Sequence, residues 1–117
     1  MNLFNFLLLI TCVSLLSIGQ LLFKLAADSF PSVISFDSLL AFTLNKHLIS
    51  ALLIYSLATF LWVWALSKMP LSFAYPFMAL AFIIVPVLSF FILDEPLTLS
   101  SLIGGCVIII GLTIAVN

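Results

Sequence analysis

The stretch Ser72-Phe73-Ala74-Tyr75-Pro76, running on through Pro86 to Asp94-Glu95-Pro96, decides how the rest of the chain is read. It holds about twenty strongly apolar residues, interrupted by two prolines and closed by an adjacent pair of carboxylates. At a rise of about 1.5 Å per residue, such a run matches a hydrocarbon core about 30 Å thick. Pro76 and Pro86 each lack the N–H that an α-helix would use. The carbonyls of Ser72 and Phe82, four residues earlier, therefore lose their usual partners. In lipid such a carbonyl must be satisfied by protein or by water in a cavity. The stretch reads as a kinked span inside a bundle, close to something polar, as a transporter would need.

Composition agrees. Of 117 residues, 66% are hydrophobic and only 6% charged, and the mean hydropathy is +1.49. A soluble domain carries about 25% charged residues, and this chain has too few polar side chains to coat an aqueous surface. The expectation is one all-α integral membrane domain over residues 1–117, multi-pass and without nucleic-acid partners, since the net charge is −1 and no basic patch occurs. Cys12 and Cys106 lie in apolar runs with no second metal ligand near, so they read as small hydrophobes; neither metal nor cofactor is expected. One histidine and four scattered acids make no nucleophile–base constellation, so an enzyme is not expected.

Four spans are expected, at about residues 3–27, 48–66, 71–93 and 97–116, with a short interfacial helix at about 37–44, Asp37 as its N-cap. No Lys or Arg precedes the first apolar run, which outlasts the roughly 7–15 residues of a signal-peptide core, so it reads as a retained helix. Its polar residues Ser14, Ser17, Gln20, Lys24 and Asp28 are spaced three, three, four and four apart and share one helix face. Two readings stay open: hydrogen bonding between helices, or the polar wall of a substrate path. Lys24 can also snorkel to the head groups, and His47 reads as an interfacial residue.

In the second span Tyr55, Thr59 and Trp62 share a face, while Trp64 suits an interfacial aromatic belt. The tight Ser67–Pro70 turn makes the second and third spans antiparallel neighbours. Asp94 and Glu95 precede the fourth span, with Pro96 at its first helical position, where acids favour the helix dipole. Gly104 and Gly111, seven apart, mark a packing or dimer seam. Lys24 and Lys46 fall on one side of the membrane and Lys68 on the other, a bias of one lysine that leaves orientation open.

The set Ser14–Gln20 with Lys24, then Leu61-Trp62, Met69-Pro70, Ala74-Tyr75-Pro76, Asp94-Glu95-Pro96 and Gly104 with Gly111 resembles the drug/metabolite transporter superfamily. It is most similar to small four-span EamA-like members, including subunits that flip aminoarabinose linked to undecaprenyl phosphate. The resemblance covers nearly the whole chain. It implies a bacterial inner-membrane protomer that works as a homodimer or as a heterodimer with a similar four-helix protein. Its first three helices would line a cavity and its fourth would help to dimerise. Small multidrug exporters of the superfamily carry a glutamate in the middle of the first span, where this chain has Leu16. An apolar residue there gives a lipophilic cation no counter-ion, which argues against proton-coupled drug antiport.

Hydroxyls, an amide, aromatic rings and a lysine at the edge suit instead a sugar carried on a lipid phosphate. The expected function is a flippase for a polyprenyl-phosphate-linked sugar. Ser17, Gln20 and Lys24 would contact the head group and Trp62 and Tyr75 would line the cavity. Glu95 would act as a gate or amine partner, and Pro76 and Pro86 as kinks. An exporter of a small polar metabolite or amine is the alternative, and a non-transporting accessory subunit a further one.

Overall fold

The computed structural model describes residues 3–117, and every regular element among them is helical. In chain order these are α1 (Leu3–Ala27), α2 (Phe36–Thr43), α3 (Lys46–Leu66), α4 (Leu71–Ala74), a 3₁₀ stretch (Tyr75–Leu80), α5 (Ala81–Ile92) and α6 (Leu99–Val116). Four helical runs are long and apolar enough to cross a membrane: α1, α3, residues 71–92 taken together, and α6.

Capping chemistry places the starts. Asn45 accepts from the N–H groups of His47 (2.9 Å) and Leu48 (3.1 Å), which begins α3 at Lys46 rather than at Leu48. Thr98 Oγ1 accepts from the Ser101 N–H at 3.1 Å, so α6 begins at Leu99. Pro96 therefore lies outside α6 and not at its first position. Ser35, not Asp37, caps α2: its hydroxyl accepts from Ser38 N–H while the Ser38 hydroxyl accepts from Ser35 N–H. At the other end of the proline-broken span, Asp94 adopts φ 55° and the Glu95 N–H reaches back to the Ser89 carbonyl at 3.2 Å. This turn ends α5.

Burying apolar surface does little to join helices in lipid, because the tails are as apolar as leucine; close approach through small residues does more. The contact between α1 and α3 follows that rule. Ala51, Ala58 and Ala65 recur every seven residues on α3 and are fully buried. Opposite them, a Cβ built on Gly19 would stand 3.2 Å from the Tyr55 ring and 4.0 Å from the Ala51 carbonyl. The seam is tight because both sides lack bulk.

The core gathers at one end of the bundle. Leu8, Leu9, Cys12 and Val13 of α1 meet Ala65, Ala74 and Phe77, with Leu61, Trp62, Leu112 and Val116 packed around them. This is the end that carries Lys68. Toward the Lys24 end α1 and α3 stay close at Gly19 and Ala51, while α5 is bordered by grooves on its α1 and α6 sides. α6 is the least enclosed span: it rests mainly on residues 75–80 and on α5, and none of its residues is buried.

Candidate substrate cleft

The polar stripe of α1 is divided by its surroundings. Ser17 is fully buried, and its hydroxyl donates to the Val13 carbonyl at 2.8 Å. Gln20, one turn further on, is exposed, and its amide has no hydrogen-bond partner among the described residues. It lines a cleft of about 330 Å³ whose other walls are Ala81, Phe82, Val85 and Pro86 of α5. Lys24 continues the stripe at the end of α1, its ammonium 3.8 Å from Asp28 in an exposed pair. Such a pair contributes at most about 1 kcal/mol and separates readily.

Pro86 lies inside α5 and shares this cleft with Gln20. A proline N atom cannot donate, so the carbonyl one turn back, on Phe82, has no i+4 donor. A side-chain donor and a freed carbonyl region thus lie close together in a surface otherwise apolar. Phe82 and Pro86 also line a second groove, between α5 and α6, with Leu97, Ser101, Gly105 and Cys106. Gly105 faces α5 across this groove, where a Cβ would sit in ordinary van der Waals contact, 3.4 Å from Ile83.

Other residues singled out from the sequence fall elsewhere. Trp62 packs on the core cluster at the Lys68 end. Tyr75 opens the 3₁₀ stretch near that same end and is 63% exposed. Pro76 follows it, so its effect is spread over a tightened stretch rather than confined to one sharp kink. Glu95 is exposed at the Lys24 end, in the turn after α5. Gly104 and Gly111 have nothing within 4 Å of where a Cβ would stand, so neither packs against this chain.

Two features escaped the sequence reading. The alanines of α3 carry no polarity or bulk to draw notice, although their seven-residue repeat was a readable signal. Lys68 follows Trp64 by four residues, a readable spacing, but its other ring, Phe4, comes from the far end of the chain and leaves no local pattern.

Charge is distributed unevenly. Asp28, Asp37, Asp94 and Glu95 all lie at the Lys24 end with Lys46, while Lys68 alone carries side-chain charge at the other. The Lys24 end can therefore meet both signs on one ligand, and the Lys68 end favours anions.

Comparison with known proteins adds the lineage. The EamA-like transporter family matches residues 2–117. The "Probable 4-amino-4-deoxy-L-arabinose-phosphoundecaprenol flippase subunit ArnE" of Enterobacter sp. (strain 638) is 36% identical over 62 residues, covering 53% of this chain and 58% of that protein. The chain thus spans little more than half the length of that curated relative. No solved structure matches. With four apolar spans and a family match over essentially its whole length, the chain is a multi-pass inner-membrane protein that belongs to the EamA-like transporter family.

Proposed function

We infer that this transporter moves the head group of a polyprenyl-phosphate-linked sugar across the inner membrane, as one protomer of a homodimer or of a heterodimer with a similar four-helix chain. The observation that carries the reading is the Gln20 cleft. An unpaired amide faces an apolar groove that opens sideways, beside a proline-freed carbonyl. A soluble solute would need an enclosed aqueous path. A lipid-linked one needs only a polar station at the protein surface, its tail remaining in the bilayer.

In this reading the head group arrives at the Lys24 end. Lys24 exchanges Asp28 for the phosphate, a point charge meeting a stronger acceptor. Glu95 receives an amine on the sugar, and Gln20 hydrogen-bonds its hydroxyls as it descends the stripe. Ser17, fully buried with its hydroxyl on the Val13 carbonyl, does not reach the head group and serves only as a small residue behind Gln20. Pro76 and Pro86 allow α5 to move against α1, as broken helices do near transporter sites. Trp62 and Tyr75 complete the path near the Lys68 end. The uncovered glycines of α6 support a second protomer on that helix. A likeness to a flippase subunit adds weight to the substrate class.

The test uses proteoliposomes holding the protein, with its partner chain where one copurifies, and an undecaprenyl-phosphate-linked aminosugar. Exposure of the sugar amine to an impermeant amine reagent reports translocation. At parental levels, Lys24→Ala should slow it at least about tenfold, the value of one charge-assisted hydrogen bond, and Gln20→Ala about two- to tenfold, the value of a neutral one. Unchanged rates in both variants would refute the assignment. Uptake of a small polar amine into vesicles free of lipid-linked sugar would transfer the function to a solute exporter.

A further inference from the structure

Lys68 is the one basic side chain at its end of the bundle. Its ammonium stands 5.6 Å from the ring centroids of both Phe4 and Trp64, which meet edge to face at 5.7 Å. Among the described residues it has no carboxylate partner: the ion pair present joins Lys24 to Asp28, and all four acids lie at the opposite end. Aromatic faces attract a cation through their quadrupole and leave its three N–H donors free. The lysine is thus held in place without being satisfied. Beside it opens a cleft of about 290 Å³, lined by Asn5, Lys68, Met69, Pro70 and Phe73. That space accommodates a phosphate and the start of an ester chain, with Phe73 on its wall and the amphipathic Trp64 ring beside Lys68, at the level where head groups lie.

We propose that Lys68 and this cleft bind a lipid-borne phosphate in the leaflet opposite Lys24, as the second of two head-group stations. The proposal rests on the translocation reading, because a head group that crosses must be received where it leaves. The charge pattern fits the division of labour. The Lys24 end offers both signs, whereas the Lys68 end offers a cation free of competing acids. A lysine that only snorkels would draw any anionic lipid to the surface by charge alone, without saturating at one site, and its loss would weaken the response only about fivefold.

The experiment titrates full-length protein in phosphatidylcholine nanodiscs with farnesyl phosphate, farnesol and inorganic phosphate. Trp64 fluorescence in a Trp62→Phe background is the readout. Farnesyl phosphate should give a saturable response that farnesol does not, weakened at least about tenfold by Lys68→Gln and largely kept by Lys68→Arg. Lys46→Ala, which removes a basic side chain at the other end that neither station uses, should leave the response in place. A Lys68→Gln titration matching its parent, or an equal response to farnesol, would overturn the site. Inorganic phosphate acting alone at the same concentrations would overturn its lipid source. The translocation reading is tested separately by the amine-exposure assay. If the parent protein binds at Lys68 but translocates nothing, that reading falls and the second-station role falls with it, while the phosphate site remains. Intact translocation in Lys68→Gln after binding is lost would overturn the station role alone.

Discussion

Replacing Ala58 by leucine tests the claim that small residues, rather than apolar burial, hold α1 against α3. Ala58 is fully buried in the middle of the Ala51–Ala58–Ala65 repeat. Gly19 lies opposite Ala51 and Tyr55. In an antiparallel pair, stepping seven residues back along α1 and seven forward along α3 brings the Cys12 turn opposite Ala58. Three added carbons have no space to enter there. Overpacking of this kind costs about 1–3 kcal/mol. At tenfold per 1.4 kcal/mol, the population in which α1 and α3 have parted should rise about 5- to 150-fold. Cys12 reads that population directly. It is fully buried at the seam, while Cys106 is exposed and is removed by Cys106→Ser. In detergent, where reclosing outpaces alkylation, the rate of Cys12 labelling by a thiol reagent follows the opening equilibrium. Ala58→Leu should therefore accelerate labelling by that factor. Phe60→Leu, at a side chain 78% exposed on α3, should stay within about twofold of the parent. Equal labelling of Ala58→Leu and its parent, or equal acceleration by Phe60→Leu, would refute the reasoning.

Other perturbations probe the caps and the broken span. Asn45→Ala removes the acceptor for two amides and should cost about 0.5–2 kcal/mol, seen as faster hydrogen exchange at His47 and Leu48. Asp94 holds φ 55°, so Asp94→Gly should preserve or slightly raise stability, while Asp94→Val should lose about 1–2 kcal/mol in denaturant unfolding. Pro86→Ala returns a donor to the Phe82 carbonyl; unfolding should show equal or greater stability while translocation slows. Asp28→Asn breaks an exposed pair and should change unfolding free energy by no more than about 1 kcal/mol.

The spans were readable because a bilayer imposes a length and forbids charge, and both constraints are written locally. The placement of Gln20, Lys24 and Asp28 on one helix face followed from helical period alone, while the ion pair between Lys24 and Asp28 came only with the structure. What lay beyond reach depended on which faces the helices turn to one another. Ser17 and Gln20 occupy the same stripe, yet one is sealed into the bundle and the other looks out over Pro86. Periodicity places residues on a face without saying how far along it the neighbouring helix remains close. Trp62 illustrates the same limit, since its inward turn was a fair alternative but its inclusion in the core depended on Leu8 and Phe77 from other helices. The start of α6 was misplaced by two residues because Pro96 and Thr98 are both good beginnings, and only the Thr98 hydroxyl reaches a free N–H.

The six-residue 3₁₀ stretch also works as a unit of length and rotation. At about 2.0 Å and 120° per residue it advances about 12 Å and makes two turns. The same residues wound as α-helix would advance about 9 Å and turn about 600°. Conversion between the two would draw α5 in by about 3 Å and rotate it by about 120°, enough to carry Phe82 and Pro86 from one side of the helix toward another. Pro76 sits in the first turn of the stretch, where it obstructs the residues beyond it in neither winding. Residues 75–80 would then act as a screw joint in the span. Spin labels at Leu71 and Phe91 would read its travel as a distance, and a separation unchanged by farnesyl phosphate would show the joint to be fixed.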